Sequence, residues 1–94
     1  MDYINGSIPT EINVTIDRVA TVDAPNNYLI TGNPYDMNDQ IRFNVSDDTV
    51  FLDQNGNQIS LWDITPGQLV RVEHAIFQTL SIPPQSPAFL IQIL

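Results

Sequence analysis

The chain has 94 residues, enough for one domain with a single hydrophobic core. Its formal net charge is −8, with eleven Asp and Glu against three Arg and no Lys, which argues against binding to nucleic acid or to an anionic membrane surface. The lack of cysteine excludes disulfides, thiolate metal sites and thiol nucleophiles.

The first half of the chain reads as strands separated by polar turns. Alternation of apolar and polar residues predicts a half-buried strand from Ile12 to Val22. Residues 23–27 then predict a turn, and Tyr28 to Thr31 the answering strand. A polar loop at 32–39 precedes a third alternating run, Ile41 to Val45.

The middle of the chain carries a strong hairpin signal. The run Thr49 to Leu52 is followed by Asn55-Gly56, which favours a type I′ turn with both residues at positive φ. A short strand from Ile59 to Leu61 would complete the hairpin. Residues 62–65 predict one helical turn, and the longest strand is expected from Leu69 to Ile76.

The end of the chain combines a proline-rich stretch with an apolar run. Residues 81–87 contain three prolines, which lack the N–H that a central strand needs, so they predict an extended, polyproline-like crossing. Residues 88–94 predict a final strand that is apolar on both faces. The whole pattern predicts an all-β fold: a small antiparallel barrel of the oligonucleotide/oligosaccharide-binding (OB) type, with five to seven strands and at most one short helical turn. Residues 1–94 would then form a single barrel domain, in which residues 1–11 are an N-terminal arm.

Residues 79–85 read Thr-x-Ser-Ile-Pro-Pro-Gln, and Phe43 and Val45 precede them at β-type spacing. With this stretch, the segment from Ile41 to Gln85 resembles small uncharacterised domains of Gram-positive bacteria. The resemblance covers about half of the chain. It implies an OB-like barrel and no catalytic residue.

Three groups of polar residues are candidates for chemical sites. The loop residues 36–39 and 47–48 offer oxygen ligands, but hard cations need six or more, and Asp and Asn are ordinary turn residues. The run from Asp53 to Asn57 departs from a calcium loop because its glycine stands fourth and no Glu follows. His74 has no nucleophile partner at a recognisable spacing, and its alternation with Val70 predicts a hydrogen-bonded residue at the barrel end. We therefore predict no catalytic residue, no metal and no cofactor, and we do not expect an enzyme.

Two regions are candidates for binding. Tyr28 and Tyr35 flank the polar loop and would offer a neutral stacking site for an oligosaccharide or peptide; packing against the core or surface is the alternative. The final strand is apolar on both faces, and no Lys protects it as an edge, so it is either buried within its own barrel or added to the sheet of a neighbouring copy. The apolarity of both faces favours the second, which predicts self-association with the segment from Tyr3 to Ile12 nearby. The candidate residues for self-association are Phe89, Leu90, Ile91, Ile93 and Leu94.

The leading hypothesis for function is a non-catalytic structural or interaction module. It would self-assemble into a homo-oligomer or filament within a bacterial surface or multi-protein assembly. The alternative is a small ligand-binding barrel for a neutral oligosaccharide or peptide. Charged residues make up only 15% of the chain, and the neutral amide and hydroxyl groups that replace them suit either contact with partners or a solvated surface. An extracellular or cell or spore surface location is favoured slightly over the cytoplasm.

Overall fold

The computed structural model of the protein describes residues 11–76 and 78–94, and within them six strands form one sheet. The all-β prediction is confirmed. The predicted N-terminal arm lies outside the described residues except for Glu11. No helix in the described ranges is long and apolar enough to cross a membrane. The strands are β1 (Asn13–Asp23), β2 (Tyr28–Gly32), β3 (Gln40–Asn44), β4 (Val50–Leu52), β5 (Leu69–His74) and β6 (Gln85–Ile93).

Three single-turn 3-10 helices connect the strands: Ala24–Asn26, Met37–Asp39 and Leu61–Asp63. The last confirms the helical turn predicted near Trp62, but the prediction of at most one such turn is wrong. The other two form because a preceding carboxylate caps each turn. Asp23 accepts a hydrogen bond from the Asn26 amide and Asp36 accepts one from the Asn38 amide.

The strands pair in the order β3-β2-β1-β5-β6-β4, and β3 also pairs with β6. The pairs β1/β2, β2/β3, β1/β5 and β5/β6 are antiparallel. The pairs β3/β6 and β4/β6 are parallel, so the prediction of a purely antiparallel arrangement is wrong. The reason is that long segments of chain, not hairpins, connect β3 and β4 to β6. β6 can therefore run in the same direction as these two strands.

The long strand β1 serves two ladders. Its first half, from Asn13 to Arg18, pairs with β5, and its second half pairs with β2. A register irregularity between Val19 and Thr21 marks the change of partner, and such bulges bend a strand. β1 therefore belongs to two parts of the sheet, one with β2 and β3 and the other with β5, β6 and β4.

The first half of β1 is a strand as predicted, but its apolar side chains face outward. Ile12, Val14 and Ile16 are 41%, 45% and 58% exposed. The side chain of Thr15 instead reaches the buried His74, to which it is hydrogen bonded. The ladder with β5 sets this phase, because residues opposite one another share a face and Thr15 lies opposite the buried Val72.

The core consists of inward-facing residues of β1, β2, β3, β5 and β6, among them Val19. The alternation predicted for β3 and β5 is confirmed at Phe43, Val70 and Val72, which have no exposed surface, as have Leu29 of β2 and Ile91 of β6. Each such side chain contributes about 1.5–3 kcal/mol relative to an exposed one. Leu61 and Ile64, from the 3-10 turn and its end, complete the cluster.

The predicted boundary between a proline-rich crossing and a strand starting at residue 88 is wrong, because β6 begins at Gln85 and contains Pro87. The β5/β6 register shifts between Glu73 and His74, next to Pro87. There the Pro87 carbonyl accepts a hydrogen bond from the Ala75 N–H at 3.0 Å. A bulge interrupts the regular donor positions of a ladder, which is why a proline is tolerated at this point.

The hairpin turn at Asn55-Gly56 forms, but it is not of type I′. Gly56 has φ 82°, whereas Asn55 is not in the left-handed region. The Gly56 N–H donates to the Asp53 carbonyl at 3.1 Å, and the Asp53 carboxylate accepts from the Asn55 and Asn57 amides, each at 2.9 Å. These bonds, led by that from Asn57, lower the pKa of Asp53 below its ordinary value. The predicted second strand is reduced to one bridge, Leu52 with Gln58.

Two glycines at positive φ give a matched test of this backbone. A Cβ at Gly32 would lie 1.9 Å from the Asp39 carbonyl oxygen, whereas a Cβ at Gly56 would meet open space. Both substitutions to Ala incur the left-handed penalty of about 1–2 kcal/mol. We therefore expect Gly56→Ala to lower the free energy of unfolding by that amount, and Gly32→Ala to lower it clearly more, in urea denaturation. Equal losses would contradict the close approach at Gly32.

Candidate interaction surfaces

A row of polar side chains crosses the outer face of β2, β3 and the start of β6. The Arg42 guanidinium lies 3.7 Å from the centroid of the Tyr28 ring, a cation–π contact. Arg42 Nε donates to Asn44 Oδ1 at 3.0 Å, and Asn44 Nδ2 donates to Gln85 Oε1 at 3.1 Å. The pairing places Tyr28 opposite Asn44, and Arg42 opposite Gln85. We call these four residues the polar row.

Asp23 lies at one end of the polar row. The Asn26 side-chain amide donates to both of its carboxylate oxygens, at 3.2 and 3.0 Å. This contact lowers the pKa of Asp23 below its ordinary value, and the Tyr28 hydroxyl and the Arg42 charge act in the same direction. One carboxylate and one guanidinium thus offset each other beside neutral groups. The arrangement can hydrogen bond a polar ligand, and it contains no nucleophile–base pair.

The two tyrosines predicted as one stacking site lie at opposite ends of β2. Tyr28 begins the strand, and Tyr35 follows its other end. The four residue steps from Tyr28 to Gly32 span about 13 Å. Tyr35 is 95% exposed, whereas one face of Tyr28 is covered by Arg42. The structure therefore does not bring the pair together as a single platform.

The other members of the polar row were missed by reasoning from the sequence. The alternation of β3 placed Arg42 and Asn44 on one face, so that signal was present. Gln85 had no such signal, because its contact depends on the parallel pairing of β6 with β3. The row is thus partly a property of one strand and partly of the tertiary fold.

The proline-rich stretch forms a hydrogen-bonded loop that leads into β6. The Gln85 N–H donates to Thr79 Oγ1 at 3.0 Å, Thr79 Oγ1 lies 2.6 Å from Ser81 Oγ, and Ser81 Oγ donates to the Pro83 carbonyl at 2.9 Å. Because the Ser81 proton is used on Pro83, Thr79 is the donor to Ser81. These bonds close the loop while the side chains of Leu80 and Ile82 are exposed. Thr79 and Ser81 therefore stabilise the conformation of this loop.

His74 is buried, with 1% of its surface exposed. Its Nδ1 lies 3.0 Å from the Ala75 carbonyl oxygen, which can only accept, so Nδ1 carries the proton and Nε2 accepts from Thr15 Oγ1 at 2.8 Å. Ser86 Oγ also donates to the Ala75 carbonyl, at 3.1 Å. The centroids of the Phe43 and His74 rings are 4.8 Å apart. The predicted hydrogen-bonded role is confirmed. The imidazole joins β1, β5 and the region of β6.

The predicted self-association strand does not have a free edge. β6 pairs with β5 on one side and with β3 and β4 on the other. Ile91 and Ile93 are buried and Leu90 is half-buried, whereas Phe89 and Leu94 are exposed. The expectation of an unpaired edge at residues 89–94 is therefore wrong, because the strand lies inside its own sheet. Self-association itself stays a prediction.

On the outer face of β1, β5, β6 and β4, five apolar side chains form two rows together with Glu73, Arg71 and Gln92. One row runs Val14, Glu73, Leu90, Val50, and the next runs Ile16, Arg71, Gln92, Leu52. Val50 is exposed, as are Val14 and Ile16. Arg71 and Glu73 form an ion pair in the middle, so this face has no net charge. We call these eight residues the apolar outer face.

Two of the loop carboxylates considered as metal ligands are bonded locally. Asp36 accepts from the Asn38 amide at 3.0 Å, and Asp53 caps the hairpin turn. Among residues 11–76 and 78–94, no group of three or more His, Asp or Glu side chains is placed to hold a metal ion.

An open cleft of about 670 Å³ lies where β1 changes partner, lined by residues 17–20, 32–34 and 66–67. Within it, Arg18 donates to the Gly67 carbonyl at 3.2 Å.

Comparison of the chain with known protein families, curated proteins and solved structures gave no match. The resemblance of residues 41–85 to small Gram-positive domains therefore stays a prediction. Any functional proposal rests on the surfaces described above.

The buried imidazole predicts how stability depends on pH. Burial lowers the folded-state pKa of His74 below the ordinary value of 6.5. Between those two values the unfolded chain binds more protons than the folded one, so stability present at higher pH is lost as the pH falls through 6.5. Urea unfolding at about pH 7.5 and about pH 5.5 should show this loss in the wild type and a smaller one in His74→Gln. An identical pH dependence of the two proteins would contradict the assignment.

Proposed function

We propose that the protein is a non-catalytic interaction module that self-assembles, built on an OB-like barrel. The barrel is supported by the strand order, since β1, β2, β3, β6 and β5 pair in a ring. Three consecutive strands followed by β5 returning beside β1 give a Greek-key order. A five-stranded Greek-key barrel is the OB arrangement, with β4 as an added strand.

A non-catalytic role is supported by the use of the one histidine. His74 is enclosed by Thr15, Ala75 and Phe43, and both ring nitrogens bond to groups of the fold. A general base must reach the proton that it removes from a substrate, and a ring so occupied does not.

Self-assembly rests on one observation, the neutral apolar outer face on a chain of net charge −8. Scattered apolar residues on a surface need no explanation, but contiguous ones mark interaction sites. Here the exposed Val14 and Ile16 lie on one side of an internally balanced ion pair, and the half-buried Leu90 and the exposed Val50 adjoin on the other. Two copies of the chain repel each other because both are acidic, whereas their apolar outer faces, which have no net charge, do not. Partner surfaces that meet there would bury apolar area without facing like charges.

This proposal predicts an unusual response to salt. Analytical ultracentrifugation should show a dimer or larger species at high micromolar concentration. Raising salt from about 0.15 to about 0.5 M should strengthen association, because screening weakens the repulsion between acidic copies. A chain that stays monomeric throughout, or one whose association weakens with salt, would contradict self-assembly through a neutral face.

A second candidate function is favoured by the polar row, namely binding of a neutral oligosaccharide or peptide. In OB folds the outer face of the second and third strands, with the adjoining loops, binds chain-like ligands. The polar row lies on that face of β2 and β3, and it offers the Arg42 guanidinium and the amides of Asn44 and Gln85 as hydrogen-bonding groups. A neutral ligand suits the acidic chain better than a polynucleotide does.

The two tyrosines provide the test of this second candidate. Glycan and peptide arrays should reveal a ligand whose affinity falls by about tenfold or more in Tyr28→Ala, since the variant loses the ring that supports Arg42. Tyr35→Ala removes a more exposed ring from the other end of β2 and serves as the matched control. Loss of binding in Tyr35→Ala alone would place the site elsewhere, and arrays without any ligand would remove this candidate.

A further inference from the structure

The first half of β1 has an edge without a partner among the described residues. Residues 13–18 pair with β5 on one side, and β2 begins to pair only at Val19. An unpaired edge offers backbone N–H and C=O groups to another chain. Proteins usually protect such edges with Lys, Pro or a cover, and Lys is absent from this sequence.

The backbone groups that point toward this edge can be assigned. Val19 N–H donates to the Gln68 carbonyl at 2.9 Å, and the Val19 carbonyl accepts from Gly67 N–H at 2.8 Å, so both point toward the β5 side. The register with β5 continues without a shift to Asn13. The backbone N–H and C=O groups of successive residues point to alternate sides of a strand. With Val19 pointing toward β5, those of Asp17, Thr15 and Asn13 do so too, and those of Val14 and Ile16 point away from β5.

The edge is capped at one end only. Arg18 N–H points the same way as those of Val14 and Ile16, and it donates to the Asp17 carboxylate at 2.7 Å. The open stretch is therefore short and lies around Val14 and Ile16, whose β-branched side chains are exposed. Such residues pack well across a strand pair.

We propose that this edge of β1 pairs antiparallel with the same edge of a second copy of the chain. The two-fold axis passes at Thr15, so that Val14 of each copy lies opposite Ile16 of the other. The pairing rests on the self-assembly proposed above and specifies its interface. It extends the sheet across both copies and makes their apolar outer faces continuous.

Symmetry and charge select this partner and this register. An antiparallel pair of identical edges is self-complementary, as a two-fold dimer requires. Two registers, Val14 opposite Ile16 and Val14 opposite Val14, join residues whose backbone N–H and C=O groups point toward the open edge. The second register, however, sets Glu11 opposite Asp17, and like charges directly opposite are destabilising. The Thr15 register sets Asn13 opposite Asp17 instead.

The first experiment uses proline to remove one edge donor. Val14→Pro deletes an N–H that has no role in the ladder with β5, and proline is tolerated at such edge positions. Its dimer dissociation constant should rise by about tenfold or more, whereas Val14→Thr, which keeps the N–H and the shape, should change it less. Val50→Lys is a further control, because it alters the apolar outer face away from β1. Circular dichroism and melting establish that each variant is folded.

The second experiment reads the register and does not depend on Val14→Pro folding. The chain has no cysteine, so Val14→Cys and Ile16→Cys each introduce a single thiol. Directly opposed residues have Cα atoms within disulfide range, about 5.5 Å apart. Under oxidation, a mixture of the two variants should form the mixed disulfide faster than either variant forms its own. Preferential cross-linking of Val14→Cys with itself would overturn the proposed register.

A third measurement distinguishes a second copy from other covers of the edge. Hydrogen exchange of the Val14 and Ile16 amides should be fast in dilute protein and slow at concentrations where the dimer forms. Protection at every concentration would mean that the edge is covered within the monomer, and it would overturn the pairing.

The outcomes separate this pairing from the broader proposal. A wild type that stays monomeric at high micromolar concentration overturns both self-assembly and the β1 pairing. A dimer that Val50→Lys breaks and Val14→Pro leaves intact overturns only the pairing, and indicates packing of the outer faces. A dimer that Val14→Pro breaks and Val50→Lys leaves intact supports it.

Discussion

The C-terminal strand joins the two parts of the sheet. β6 follows β5 along one edge, and along the other it pairs first with β3 and then with β4. The buried hydroxyl of Thr49 donates to the Ala88 carbonyl at 2.8 Å and fixes the approach to β4. Both surfaces depend on this position, because β6 supplies Gln85 to the polar row and Leu90 to the apolar outer face.

The acidic character of the chain and the neutrality of these two surfaces have a common origin. Several carboxylates are used in turns, where Asp23, Asp36 and Asp53 accept backbone N–H groups. Asp and Asn favour such positions because their short side chains bond to nearby backbone. The sheet faces are left to amides, apolar side chains and locally paired ions. The chain can therefore repel polyanions overall and still offer neutral surfaces to a partner.

Local pattern predicted most of the strands, since alternation, β-branched residues and turn residues act over a few positions. It predicted the buried phase of β3 and β5, where Phe43 and Val70 face the core. It did not predict the type of the hairpin turn, because the Asp53 carboxylate stabilises a different set of dihedral angles. It found Tyr28 as a candidate residue but not the contacts that surround it.

The sequence by itself determined the all-β class, the positions of most turns and the acidic, cysteine-free character of the chain. These properties depend on composition and on interactions between near neighbours. Only the tertiary structure decided which strands pair, in which direction, and which face of β1 is buried. The period-2 pattern of Val14 and Ile16 is compatible with either face, and pairing opposite Glu73 and Arg71 turns both outward. The final strand, apolar on both faces, is compatible with a central strand or with an unprotected edge, and its pairing with β5, β3 and β4 places it inside the sheet.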